Sequence, residues 1–390
     1  MPRAPLPPLL AILLLALPAA AQGFDTQAGS AIVVDHNTGQ VLLEKNADVP
    51  LPPASMSKLM TLNMVFEALE DGRLTLDTEL PVSEHAASYG GSTMFLDPRD
   101  RVRVEDLIRG VVVLSGNDAS AVLAEALSPD GTEAGFARMM TERARELGMD
   151  HTVMLNSNGW PAPGHVMSMR DLAFLAERFV TEFPQYYPYF AETEFGFDGR
   201  SPANRFNRNP LLELDIGADG LKTGHTQEAG YGLVGSAAQG DRRVSFAMSG
   251  IESERARADE SERLVNWAFR QFAEVRPFEG EDAPRLEAQV FMGAAATVPL
   301  AAEEGIAILL PVTGREPLSG ELRFDGPVVA PVAAGTQLAT LTMTYPGMPD
   351  VEVPLVAAVD VPRAGPVRRV QITGARLAQE LMGSAMERFR

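Results

Sequence analysis

Three short clusters hold the side chains that acyl transfer at a serine needs. Ser55-Met56-Ser57-Lys58 sets a hydroxyl and an amine three residues apart, and on a helix residues at that spacing share a face. A serine hydroxyl is a weak nucleophile until a base takes its proton. A lysine whose surroundings lower its pKa can do this, whereas an arginine stays protonated. Lys222-Thr223-Gly224 falls in a strand-like stretch, and Gly224 would let a substrate backbone come close. Between them, Ser115-Gly116-Asn117 follows the apolar run Val111–Leu114. Scarcity makes the lysines informative. Of 33 cationic residues only Lys45, Lys58 and Lys222 are lysines. Two of the three sit in these clusters, while Lys45 reads as a solvated hairpin residue.

The elements that must position these clusters are of two kinds. Residues 30–45 show two apolar runs around His36-Asn37-Thr38-Gly39, a hairpin signal. Pro52-Pro53 stiffens the approach to a helix predicted over residues 56–69. From Thr75 to Phe183 the pattern is mostly helical, with breaks near 88–100, 128–131 and 156–164. Strands are predicted at 193–197, 220–223, 231–236 and 244–249, and a helix at 257–275 with Leu264, Trp267, Ala268 and Phe272 on one face. Strands at both ends with helices between, and no βαβ alternation, predict an α+β domain over 22–278. Its sheet would be mainly antiparallel, packed with helices and a helical subdomain. Residues 279–362 alternate with a period of two and are punctuated by Gly and Pro, which predicts a small all-β domain.

Composition sets the bounds. The 390 residues include no cysteine, which excludes disulfides, thiolate zinc sites, iron–sulfur clusters and a cysteine nucleophile. A net charge of −19 argues against a nucleic-acid partner. No H-E-x-x-H spacing and no G-x-S-x-G elbow occurs, so neither a metal centre nor a Ser-His-Asp triad is expected, and no cofactor. Residues 1–21 read as a signal peptide: Arg3, an apolar run Leu9–Leu17, then Ala19-Ala20-Ala21. Residues 363–390 hold six arginines and two glutamates, net +4, with Leu377, Leu381, Ala385 and Phe389 four apart. That pattern predicts a basic amphipathic helix, lying on a membrane surface or packed on protein.

The ordered set SxxK, SGN, KTG is that of β-lactamases and penicillin-binding proteins. With Asn46-Ala47-Asp48-Val49, Met94-Phe95-Leu96, Arg109-Gly110, Asp118-Ala119, Asp219-Gly220-Leu221 and His225-Thr226, the chain resembles the low-molecular-mass penicillin-binding proteins. More closely, it resembles the D-alanyl-D-alanine carboxypeptidases of serine peptidase family S11. The stretch from Arg257 through Glu260 to Trp267-Ala268-Phe269-Arg270 matches as well.

The resemblance implies that Ser55 is acylated, that Lys58 is its general base, and that Ser115 relays a proton to the leaving D-alanine beside a charged Lys222. It implies that Asn117 positions Lys58 and binds the substrate amide, and that Thr223 and Arg257 hold the terminal carboxylate. Gly224 would admit the substrate backbone, and the N–H groups of Ser55 and His225 would form the oxyanion hole. The partners implied are peptidoglycan stem peptides ending in D-Ala-D-Ala, β-lactams as covalent inhibitors, and a membrane surface at the periplasmic face. Alternatives are a D,D-endopeptidase on crosslinks, a non-catalytic wall-binding scaffold and a class A β-lactamase. The last needs Glu-x-x-Leu-Asn; here Leu59 and Thr152 stand three before Leu62-Asn63 and Leu155-Asn156. Trp160 departs from the family pattern, where Asn158-Gly159 is followed by leucine, and its neighbours Pro161 and Pro163 suggest a loop near the site mouth.

Overall fold

The structure is a computed structural model that describes residues 24–200, 204–278, 285–302, 306–312, 317–324, 326–346, 348–371 and 373. The predicted signal peptide and most of the predicted terminal helix lie outside the described residues.

The hairpin forms as β1 (Ser30–Asp35) and β2 (Val41–Lys45), turning through Gly39 at a φ of 68°. A 3₁₀ turn at Ala54–Ser57 leads into α1 (Lys58–Glu70), so Ser55 lies on the 3₁₀ turn and the α-helix begins two residues after the predicted start at 56. A small hairpin of β3 (Glu79–Pro81) and β4 (Arg101–Arg103) follows, with α2 (Glu84–Ala87) between its strands. The helical region continues as α3 (Val104–Val112), α4 (Asn117–Leu127), α5 (Glu133–Glu146) and α6 (Met169–Thr181). Its breaks fall where Gly, Pro and Asp cluster.

β5 (Ala218–Thr226), β6 (Gly230–Gln239) and β7 (Arg242–Ile251) complete an antiparallel sheet in the order β2-β1-β7-β6-β5. Both faces of this sheet are covered, and the middle of β5, β6 and β7 is buried without a break. One face carries the core of α1, α3, α4 and α6, with Phe66, Phe179 and Phe190 fully buried. The other is covered by α7 (Glu254–Arg270), whose Leu264, Val265 and Ala268 pack on Val33, Leu233 and Phe246.

Two predicted elements differ from the structure. Residues 193–197 make no strand: only Glu194 bridges Phe206, within a long strap that runs from η-turn residues 187–191 to β5. The helix predicted over 257–275 stops at Arg270, and Phe272–Val275 is a strand, β8. Phe272 satisfies both periods at once. It is four residues after Ala268, yet it also starts the alternation that β8 uses.

β8 pairs with β11 (Ile308–Pro311), so the second domain is stitched to the first. That domain also contains β9 (Leu286–Phe291), β10 (Thr297–Ala302), β12 (Ser319–Arg323), β13 (Val328–Val329), β14 (Gln337–Thr344) and β15 (Val351–Ala357). They form a sheet ordered β12-β14-β15-β10-β9-β13 around its own core of Val298, Leu341, Val353 and Leu355. The Gln40 side-chain amide donates to Leu309 O at 3.3 Å and accepts from Leu309 N–H, reading β11 as a neighbouring strand would.

Candidate active site

The 3₁₀ geometry decides how Ser55 meets Lys58, because residues i and i+3 eclipse in that helix. Lys58 Nζ lies 3.0 Å from Ser55 Oγ and donates to Asn117 Oδ1 at 2.8 Å and to the carbonyl of Asn158. Ser55 is half-buried and reachable, while Lys58 is fully buried. Burial, reinforced by the Arg208 charge and opposed by Asp118 and Glu133, lowers the Lys58 pKa to about 7. A neutral amine has two N–H donors and one lone pair. With Asn117 and Asn158 taking the donors, the lone pair faces the Ser55 hydroxyl.

Asn117 opens α4, where its N–H donates to Ser92 O and its Nδ2 to Gly90 O at 2.9 Å. The preceding loop is forced: Ser115 has a φ of 59°, and Ala54 next to Ser55 has 49°. Non-glycine residues in this region cost energy and concentrate at functional sites. Ser115 Oγ is buried without a hydrogen-bond partner.

β5 forms the opposite wall. A Cβ added at Gly224 would stand 3.0 Å from Met56 Cγ and 3.1 Å from Pro53 O, so a larger residue would press on the Ala54–Ser57 turn, and glycine lets the strand pass this close without displacing it. Lys222 and Thr223 precede it, both buried. Lys222 Nζ donates to Thr223 O at 3.2 Å; burial first, then the charges of Lys58, Arg208 and Arg257, push its pKa well down. Arg257, in the first turns of α7, is buried, with Nη2 on Arg208 O and Glu254 at 3.3 Å each and Nε unpartnered. His225 is exposed and stacked on Tyr231, ring centroids 3.9 Å apart.

The structure thus joins Ser55, Lys58 and Asn117 by direct contact, and gathers Lys222 and Arg257 into one electropositive corner. Sequence reasoning missed three contributors. Arg208 reaches this corner from the strap, bonded to Ser92 Oγ, Asn204 Oδ1 and Leu114 O, and borders with Arg257 a cavity of about 380 Å³. Asn158 acts through its backbone, which leaves no side-chain signature. Glu133, buried on α5, accepts from Ser157 and so holds the loop bearing Asn158. Trp160 stands at the rim, 46% exposed, edge-on to Tyr89 at 6.0 Å. A Cβ on Gly91 would be 3.5 Å from its ring and 3.4 Å from Asn117 Nδ2.

Residues 17–251 match the family model described as D-alanyl-D-alanine carboxypeptidase. The chain belongs to that family. Residues 272–363 match the C-terminal domain of penicillin-binding protein 5. Among family members, D-alanyl-D-alanine carboxypeptidase DacF of Bacillus subtilis is 32% identical over 343 residues, 87% of each chain. DacC of Escherichia coli is 35% identical over 348 residues, 87% of this chain and 85% of that one. Penicillin-binding protein 5 from Haemophilus influenzae superposes with a TM-score of 0.73 at 30% identity, over 87% of this chain and 99% of that one.

Proposed function

We propose that this family member is a serine-type D,D-carboxypeptidase that removes the terminal D-alanine from peptidoglycan pentapeptides. The observation that carries the mechanism is Lys58 Nζ, 3.0 Å from Ser55 Oγ and able to be neutral near pH 7. Lys58 takes the Ser55 proton as Oγ attacks the carbonyl of the penultimate D-alanine. The resulting oxyanion is met by the N–H groups of Ser55 and His225, each donor of this kind contributing about 3 kcal/mol. The C–N bond then breaks, and the proton held by Lys58 is relayed through Ser115, beside Lys222, to the departing amine, leaving Lys58 neutral and Ser115 protonated again. Water hydrolyses the ester on Ser55 and restores the enzyme.

Substrate enters with a free carboxylate, which suits the corner of Lys222, Thr223, Arg257 and Arg208. Buried cations without a matched carboxylate are costly until an anion arrives. A β-lactam would acylate Ser55 in the same way. Its opened ring stays tethered in place of a leaving group, which blocks the site. No step requires a metal or cofactor.

Placement at the membrane belongs to the same reading. Residues 366–371 are helical, with Val367 and Val370 75% and 73% exposed beside Arg368 and Arg369. An apolar stripe flanked by arginine at the start of the basic tail suits an interfacial anchor on an exported, periplasmic enzyme. Among the described residues no helix is long and apolar enough to cross a membrane. The catalytic reading is tested by D-alanine release from a pentapeptide together with fluorescent-penicillin labelling. Ser55→Ala should abolish labelling and lower release by at least about 10⁴-fold. Labelling that persists in this variant removes Ser55 as the nucleophile.

A further inference from the structure

The loop that aims the Asn158 carbonyl at Lys58 is anchored by a carboxylate outside the cleft. Glu133 opens α5 behind its Thr132 cap and is 7% exposed. Its Oε1 accepts from Ser157 N–H at 2.9 Å, Ser157 Oγ–H at 2.5 Å and Asn158 Nδ2 at 3.4 Å. Its Oε2 accepts from Tyr89 O–H at 2.6 Å and lies 2.8 Å from His85 Nε2. Thr61 Oγ1, on the same helix as Lys58, donates to Ser157 O at 2.6 Å. Asn156 Oδ1 collects the N–H groups of Gly159 and Trp160 at 2.8 and 3.2 Å. The 156–160 backbone is thereby fixed on three sides.

We propose that Glu133 is a positioning residue for acylation: through Ser157 it fixes the Asn158 carbonyl that orients Lys58, and its charge acts on Lys58 across the buried space between them. The reasoning rests on Lys58 being the base. With its two N–H bonds pinned by Asn117 and Asn158, a neutral Lys58 has its lone pair directed at Ser55. Loosening the Asn158 carbonyl would let the amine rotate away. The charged groups that face Lys58 are Asp118 and Glu133, which favour its protonated form, and Arg208, which opposes it. Lys222 and His165 also feel the Lys58 charge. Those that face Glu133 are His85 and Tyr89. Glu133 is the carboxylate in this set that also builds the loop.

The test is the pH profile of penicillin acylation for Glu133→Gln in the full chain. The variant keeps the shape and removes the charge. Two changes are expected: an upper plateau about tenfold lower, because a neutral amide holds Ser157 more weakly than the carboxylate and lets the Asn158 carbonyl and the amine drift, and an acid limb moved to lower pH by about half a unit, because a charge that favours protonated Lys58 is gone. A wild-type plateau and limb, with only a lower melting temperature, would overturn the proposal. If Glu133→Gln does not fold, Ser157→Ala decides. It deletes the 2.5 Å bond and keeps the charge, so the plateau should fall about threefold with the limb unmoved, and an unchanged plateau overturns the role. Lys58→Ala separates the two levels: if it still acylates at the wild-type rate, the base assignment fails, whereas if it is dead and Glu133→Gln is unaffected, only the Glu133 role fails.

Discussion

The nucleophile corner and the electropositive corner, on opposite sides of one cleft, are built on opposite terms. Around Ser55 the polar groups find partners within the protein: Lys58 Nζ has three, and the Asp118 carboxylate beneath accepts from the N–H groups of Met94, Leu96 and Ala119. Across the cleft the bookkeeping is left open. Arg257 Nε is buried without a partner among the described residues, and the carboxylate that touches Arg257, Glu254, is 68% exposed in its side chain. An unmade bond at a buried polar atom costs on the order of 1–3 kcal/mol. On the proposed mechanism the contrast separates two tasks: the base is prepared in the free protein, whereas the corner proposed to bind the carboxylate reaches its lowest energy only with an anion in it.

The strongest way to break this comparison is Lys58→Arg. It keeps a long cation but no usable base, and acylation by penicillin should fall by at least about 10³-fold. A fall of less than about tenfold would mean that preparation of the base is not what this corner does. Next comes Arg257→Gln, which should lower kcat/KM for the pentapeptide about 100-fold, the worth of a charge-assisted bond. Acylation by a neutral β-lactam ester should fall far less. Equal losses for both would show that Arg257 shapes the cleft and does not read a carboxylate.

A smaller effect is the pH dependence. With Lys58 at about 7, the neutral base is lost as pH falls through that value, so acylation should drop about tenfold per unit below it and level off above. A profile flat from pH 5 to 8 sinks the assignment. The smallest effect comes from outside both corners. Gln40→Ala should lower stability by about 1–3 kcal/mol through the unpaired Leu309 backbone, visible as a lower melting temperature. It should leave both kinetic measurements unchanged.

The sequence made one of these corners far more legible than the other. That Ser55, Lys58 and Asn117 would meet could be read because the contacts are made by side chains and SxxK spacing maps onto a single helical turn. The sheet was legible too, since the runs at 220–223, 231–236 and 244–249 lie inside β5, β6 and β7. Hidden were the parts that act through backbone or over long separations. The Asn158 carbonyl looks like any other, Glu133 reaches its loop across 24 residues, and Arg208 lies in a strap with no periodicity. The over-long helix at 257–275 failed for a related reason: β8 owes its conformation to β11, more than 30 residues on, and no local pattern records a partner at that distance.

Met56 follows Ser55 in the turn that leads into α1. Met56, 1% exposed, is wedged between glycines of two adjacent strands: a Cβ on Gly232 would come within 2.7 Å of its Cε, and one on Gly224 within 3.0 Å of its Cγ. Buried there, the sulfur is out of reach of dissolved peroxide, so conversion of this methionine to its sulfoxide requires the Ala54–Ser57 turn to part from the sheet. The rate at which peroxide oxidises Met56 is therefore a clock for that opening, and any molecule that clamps the cleft shut should slow it.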